Sequence, residues 1–460
     1  KDTSRGLGDV YKRQNIDKKI LVNIGNSIEK KIPNAKKSFQ SYLQDPNPNR
    51  LVLNQCDAAE IASIIASFGT GKATGPFSIP TNLLKEFSRY FVDPLVTIIN
   101  KSLQEGIFPS ILKSAIVCAI FKKNEKTNCA NYRPISLLSN IGKVFECVVF
   151  NRIESFLSES NAIYKYQFGF RKKYSTNHAL LSIVEKIRKS LDNKRFACGV
   201  FVDLEKAFDT VNHNILLTKL DHYGINGISN NWIRSYLSNR TQSVALDGVT
   251  STKQGVTCGV PQGSILGPLL FIIYINDMHN AVKKSLVHHF ADDTNLLYED
   301  KNPKNIRKVM NSELASLYEW LCANRLSLNV DKTEFIIFRP PRQKLSDRIV
   351  LELNHIKIFE SNKIKYLGLI LDSRLTWKAH ISELSKKLSR SIGMLYKIRD
   401  YSSKTVLRSL YFSLFHSHLT YGLPVWGNAD KKCIDNIAKL QKKPFVLSLS
   451  QNSMHMASRY

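Results

Sequence analysis

Ala197-Cys198-Gly199-Val200-Phe201-Val202-Asp203-Leu204 and, later in the chain, Val287-His288-His289-Phe290-Ala291-Asp292-Asp293 are two apolar runs that each end in acid. A short continuous apolar run reads as a buried strand. A carboxylate at the end of a core strand is rare unless it is paired or binds a metal. If the two strands are neighbours in one sheet, Asp203, Asp292 and Asp293 converge. Like charges at one point repel, and a divalent cation relieves them. Hard oxygen ligands suit Mg2+, which takes one or two carboxylates. The alternative is an Asp292-Asp293 hairpin turn facing solvent. The adjacent His288 and His289 do not make a metal pair, because successive strand residues point to opposite faces.

Around these runs the pattern is mixed. Apolar spacing predicts helices over 58–68, 82–105 (ended by Gly106 and Pro109), 137–158, 214–223, 231–237, 268–278 and 305–324. Strands are expected over 115–121, 243–246, 253–256 (after a turn at Gly248), 285–291, 294–298, 334–338 and 365–371. Central strands between helical flanks argue for an α+β core. The Gly- and Pro-rich stretch 69–80 lacks the spacing of a phosphate loop and reads as a rigid connector. Trp320 and Trp377 read as core residues.

The 460-residue chain carries 66 Lys+Arg against 38 Asp+Glu, a formal net charge of +28. With 43% hydrophobic residues it can bury a large core and is not a disordered chain. Its longest apolar run, Leu269 to Ile275, is far short of the ~20 residues of a membrane-spanning helix, so no membrane partner is expected. The eight cysteines form no Cys-x-x-Cys pair and read as reduced, as in a cytosolic or nuclear chain. Residues 1–14 resemble translated adaptor sequence; setting them aside leaves +26. Between Lys378 and Lys443 the local net charge is +9. Such an excess favours a polyanionic partner through counterion release.

Five blocks then occur in order: Asn131-Tyr132-Arg133-Pro134-Ile135-Ser136-Leu137-Leu138, Gln167-Phe168-Gly169-Phe170-Arg171, Asp203-Leu204 with Lys206-Ala207-Phe208-Asp209, Gly259-Val260-Pro261-Gln262-Gly263-Ser264, and Phe290-Ala291-Asp292-Asp293. Together they closely resemble the reverse transcriptases of non-LTR (LINE-type) retrotransposons, particularly the jockey-like group. The resemblance runs from about Lys72 to Gln441.

The resemblance implies a right-hand polymerase, α+β, with fingers (101–196), a palm with an antiparallel sheet (197–372) and a basic helical thumb (373–443). It implies an N-terminal extension over 15–100, leading from an endonuclease domain that this chain lacks, and a divergent tail over 444–460, as in a fragment. The implied activity is RNA-directed DNA polymerisation with two Mg2+ ions, Mn2+ being an alternative. Asp203, Asp292 and Asp293 match the metal-binding carboxylates, with the Leu204 carbonyl completing a site. Lys122 and Arg133 match residues that hold the incoming triphosphate, and an Arg fork can bond two phosphate oxygens at once. The alternative for each is a plain surface charge. Phe208 matches the aromatic below the sugar that excludes a 2′-hydroxyl, and its alternative is a core Phe. Gln262 and Gly263 match the loop that meets template and dNTP, and Ser264 can cap the helix that follows. Lys332 matches a lysine near the leaving pyrophosphate, as proton donor or simply as a solvated lysine. Tyr366, Leu367 and Gly368 resemble the primer grip. The implied partners are RNA template, DNA primer, dNTPs and the element RNA as a ribonucleoprotein in nucleus and cytoplasm. Two other readings stand beside this one: an inactive RNA-binding remnant, and an RNA-dependent RNA polymerase.

Overall fold

The computed structural model describes residues 24–71, 73–122, 125, 131–246, 249–343, 349–354 and 356–443. Residues 1–14, Lys72, Lys123, Cys129, the Gly248 turn and the tail 444–460 lie outside them. The chain divides into two compact units, one of residues 1–170, 203–283 and 313–329, the other of 171–202, 284–312 and 330–460. Among the described residues no helix is long and apolar enough to cross a membrane.

In the first unit, strand Ser114–Phe121 runs antiparallel to Tyr132–Leu137 and parallel to Arg240–Leu246. Arg240–Leu246 also takes Val249–Thr250 and Gln254–Val256 antiparallel. Helix Ala58–Ser67 starts where the Asp57 side chain accepts from Glu60 N at 2.8 Å, and it buries Ile61, Ile64 and Ile65. The helix expected over 82–105 is two helices, Thr81–Glu86 and Ser88–Glu105, because Phe87 leaves the helical region at ψ 19°. Gly106 ends the second at φ 69°, the left-handed cap a glycine supplies without strain. Phe108 is the hub of the core, meeting Phe145, Trp232 and Tyr236 edge-on at 5.1–5.9 Å between centroids. Trp320 is fully buried here, as its apolar context suggested.

The second unit holds a five-stranded sheet in the order Phe359–Glu360, Glu334–Phe338, Phe196–Val202, Asp293–Asp300, Leu286–Phe290. The central strand Phe196–Val202 is antiparallel to both neighbours. Thus the two acid-ended runs are adjacent strands of one antiparallel sheet, and the α+β class holds. Helix Thr176–Asp192 covers the sheet with Leu180, Ile183, Val184 and Ile187. The same core takes in Trp377, Trp426 and the apolar face of helix Lys378–Ile398, whose Lys386, Lys387 and Arg390 are exposed. The single strand expected over 365–371 is a hairpin of Lys363–Tyr366 and Leu369–Asp372.

Candidate active site

In the second unit, the ladder between Phe196–Val202 and Asp293–Asp300 ends at the pair Val202↔Thr294. Asp293 precedes Thr294 in the chain, and Asp203, the residue after Val202, belongs to the first unit. The turn sits one residue earlier than the sequence suggested: Phe290 pairs with Asp293, leaving Ala291 and Asp292 as the loop. Ala291 takes the left-handed conformation (φ 57°) that tight hairpins demand at this point. Asp292 is half-buried in the turn, and Asp293 is an exposed first strand residue. His288 and His289 face opposite ways, His288 Nε2 meeting Ser182 Oγ at 3.1 Å and His289 Nδ1 meeting Thr294 Oγ1 at 2.9 Å.

The Leu367-Gly368 turn has positive φ at both residues (41° and 86°), the two-residue hairpin geometry that matches strand twist. Tyr421 Oη donates to the Leu367 carbonyl at 2.5 Å and fixes the turn from outside. Tyr366 is buried, its ring 5.3 Å from that of Phe201. Burial raises its phenol, and the nearby Asp293 charge adds to the effect. Lys332 is exposed on the short turn Val330–Lys332.

The first unit brings together the other candidates. Beyond Val202, Leu204 bridges Leu328, with Asn329 N donating to Asp203 O and Glu205 N to Ser327 O, both at 2.8 Å. In that antiparallel geometry the N–H and C=O of Leu204 itself point away from Leu328. Phe208 is half-buried, its ring stacked on Phe271 at 4.6 Å and edge-on to Phe170 at 6.3 Å. Val260 N donates to Phe208 O at 2.8 Å, and Ser136 N to Gln262 O at 2.6 Å. Gln262 Nε2 donates to Asp209 Oδ2 at 2.9 Å. Burial pushes the Asp209 carboxyl up to about 6, against the pull of Gln262, Lys206 and Lys122. Arg133, paired with Ile120, and Lys122, next after Phe121, are both exposed near this sheet end. An open cleft is lined by Asp209, Gln262, Ser136, Pro134 and Arg240.

Ser264 caps the helix Leu266–Tyr274 as expected, its Oγ accepting from Gly267 N at 2.9 Å. Glu146 was not foreseen. Fully buried on helix Asn140–Glu159, it accepts from Ile265 N at 2.6 Å, Leu266 N at 3.3 Å and Tyr236 Oη at 3.1 Å. Its only signal was a carboxylate within the apolar run Val144-Phe145-Glu146-Cys147-Val148. Asp209 was likewise passed over as a site residue, having no signal apart from its place beside Phe208. Gly263 is required by geometry: at φ 116° a Cβ would stand 2.6 Å from Ser136 O. Gly263→Ala is therefore expected to cost about 1–3 kcal/mol, read as a lower thermal midpoint. Gly255→Ala, with nothing within 4 Å of the added Cβ, is the near-neutral control.

Residues 120–371, more than half of the chain, match the family model described as reverse transcriptase (RNA-dependent DNA polymerase). The chain is 29% identical over 424 residues to the RNA-directed DNA polymerase from mobile element jockey of Drosophila melanogaster, covering 88% of this chain and 45% of that protein. It is 29% identical over 401 residues to the probable RNA-directed DNA polymerase from transposon X-element of the same fly, covering 84% and 43%. With the probable polymerase from transposon BS the figures are 29% over 419 residues, 87% and 45%. The chain thus spans less than half the length of these relatives.

Proposed function

The chain belongs to the reverse transcriptase family, and from that premise we propose that it is the polymerase core of a non-LTR retrotransposon, adding dNTPs to a DNA 3′-end on an RNA template. The observation that carries this is the pairing of Phe196–Val202 with Asp293–Asp300, whose last pair, Val202↔Thr294, is next in the chain to Asp203 on one strand and to Asp293 on the other. On this reading residues 101–196 serve as fingers, 197–372 as palm and 373–443 as thumb. The site is one of an intracellular ribonucleoprotein.

The donors available suit Mg2+: the half-buried carboxylates of Asp203 and Asp292, the exposed carboxylate of Asp293 and the carbonyl of Leu204. Among the described residues no three His, Cys, Asp or Glu side chains gather into an ion cage. Mg2+ does not need one, since it draws its remaining ligands from water and substrate phosphates. When bound, Mg2+ or Mn2+ supplies the Lewis acidity that activates a 3′-hydroxyl and stabilises leaving pyrophosphate. Lys122 and Arg133 hold the triphosphate as it arrives, and Lys332 offers a proton to the departing pyrophosphate. Gln262 and Gly263 form the floor that meets template and nucleotide. Tyr366, Leu367 and Gly368 position the primer terminus, with Tyr421 bracing the turn.

Phe208 acts as the sugar gate. Its stacking on buried Phe271 keeps the ring from swinging aside, and the Asp209 carboxylate is engaged by Gln262 instead of facing a 2′-hydroxyl. Phe208→Ala is expected to shift dNTP-over-rNTP preference by about 10–100-fold toward rNTPs. Single-nucleotide incorporation measures it, and unchanged sugar selectivity would sink the gate. The function itself is tested by extending a DNA primer on an RNA template with Mg2+ and dNTPs, then rNTPs. Extension with dNTPs is expected. A chain that binds primer–template and never extends it would overturn the proposal.

A further inference from the structure

Residues 206–211 make a tight turn that is stitched to two other segments. Lys206 opens it at φ 49°, and its Nζ donates to Tyr132 O at 3.1 Å. Val260 N donates to Phe208 O and Gly259 N to Val211 O, each at 2.8 Å. Only glycine permits that approach, because a Cβ on Gly259 would stand 2.7 Å from Asp209 O at φ 84°. Gln262 is therefore held twice. Its backbone carbonyl accepts from Ser136 N at 2.6 Å, and its side-chain amide donates to Asp209 Oδ2 at 2.9 Å.

The chemistry of the pair is directional. An ionised carboxylate can only accept, so Gln262 must turn its amino group to Asp209 and its carbonyl oxygen away. Both residues line the open cleft, so the orientation decides what the cleft offers to a ligand. Burial raises the Asp209 carboxyl to about 6, while Gln262, Lys206 and Lys122 favour its charged form. We propose that Asp209 is a positioning residue of the nucleotide site: it locks the Gln262 carboxamide with its carbonyl oxygen presented as an acceptor to the base pair being formed. This rests on the polymerase reading above. Without Asp209 the carboxamide rotates freely, and either edge faces the cleft. The loss falls on nucleotide binding, since Asp209 touches no reacting atom.

The test compares the full chain with Asp209→Leu, Asp209→Asn, Gln262→Ala and the Asp209→Leu/Gln262→Ala double variant. The first readout is single-dNTP incorporation on a primer–template. Asp209→Leu is expected to raise KM for dNTP about tenfold, the loss of one hydrogen bond to a charged group, with kcat within about threefold. Asp209→Asn, which keeps an acceptor but adds a donor that also pairs with the flipped carboxamide, recovers only part of it, and the double variant is no worse than Gln262→Ala. The second readout is hydrogen–deuterium exchange of the 259–266 segment without nucleic acid. It should quicken in Asp209→Leu and stay near wild type in Asp209→Asn. Unchanged KM in Asp209→Leu, a wild-type KM in Asp209→Asn, or additive losses in the double variant would each overturn the inference. If the wild-type chain does not extend primers, the polymerase reading fails, and exchange alone then decides whether Asp209 holds the loop, unchanged exchange overturning that too.

Discussion

Asp203→Asn and Asp292→Asn are each expected to leave primer–template binding intact while cutting primer extension by about 10³-fold or more. The substitution keeps the size of the side chain and removes its charge. A lost anionic ligand weakens stabilisation of the charge that builds on the attacking and leaving oxygens, an effect worth several kcal/mol. Binding is governed elsewhere. A chain of net charge +28 becomes one charge more basic, and its hold on a phosphate backbone is set by Lys and Arg. The check is a pair of measurements on one preparation, a primer–template titration and a single-turnover extension rate. A variant with intact binding and near-wild-type extension would remove these aspartates from the chemistry. Binding without extension in the wild-type chain as well would favour an RNA-binding remnant.

The acid-ended strands were legible because burial and charge pull against each other there, and a one-dimensional pattern records that conflict. Their adjacency in one antiparallel sheet was a condition the sequence could state and only register could meet. The turn was misplaced by one residue because alanine carries no turn signal. Ala291 takes φ 57° under the demand of a two-residue loop between paired strands, a tertiary constraint that overrides local preference. Helix Thr176–Asp192 was not among the expected helices, although Leu180, Ile183, Val184 and Ile187 stand at helical spacing behind a Ser175 whose Oγ accepts from His178 N at 3.4 Å. The strand Tyr132–Leu137 was not expected either, since Pro134 lies inside it and its sequence does not alternate cleanly. Contacts between distant segments stayed hidden altogether. Nothing in residue order shows that Glu146 caps a helix beginning at Leu266, that Tyr421 braces Leu367, or that Asp209 meets Gln262.

The buried pair Lys219–Asp277 supplies the other large expected effect, and it is linked to the Phe208 turn. Both side chains are almost fully buried and directly bonded. Lys219 Nζ also donates to Tyr274 O at 2.6 Å and lies 5.1 and 5.0 Å from the Tyr274 and Trp320 ring centroids. Asp277 accepts from Trp320 Nε1 at 3.1 Å, and Tyr274 Oη accepts from Asn212 N at 3.3 Å, just beyond the Phe208 turn. Removing one partner strands a charge in the core, so Asp277→Ala and Lys219→Met should each cost about 3–5 kcal/mol. The thermal midpoint should fall by about 5–10 °C. The loss in Asp277→Ala should depend on pH. The lone lysine, already lowered by burial, binds fewer protons folded than unfolded, so stability rises with pH. Lys219→Met/Asp277→Leu should lose that pH dependence and retain the cost of an unpaired Trp320 N–H and Tyr274 carbonyl, about 1–3 kcal/mol each. Melting curves between about pH 5 and 8 decide the matter. An Asp277→Ala stability that does not rise with pH would mean that the lone lysine is hydrated and no charge is stranded in the core.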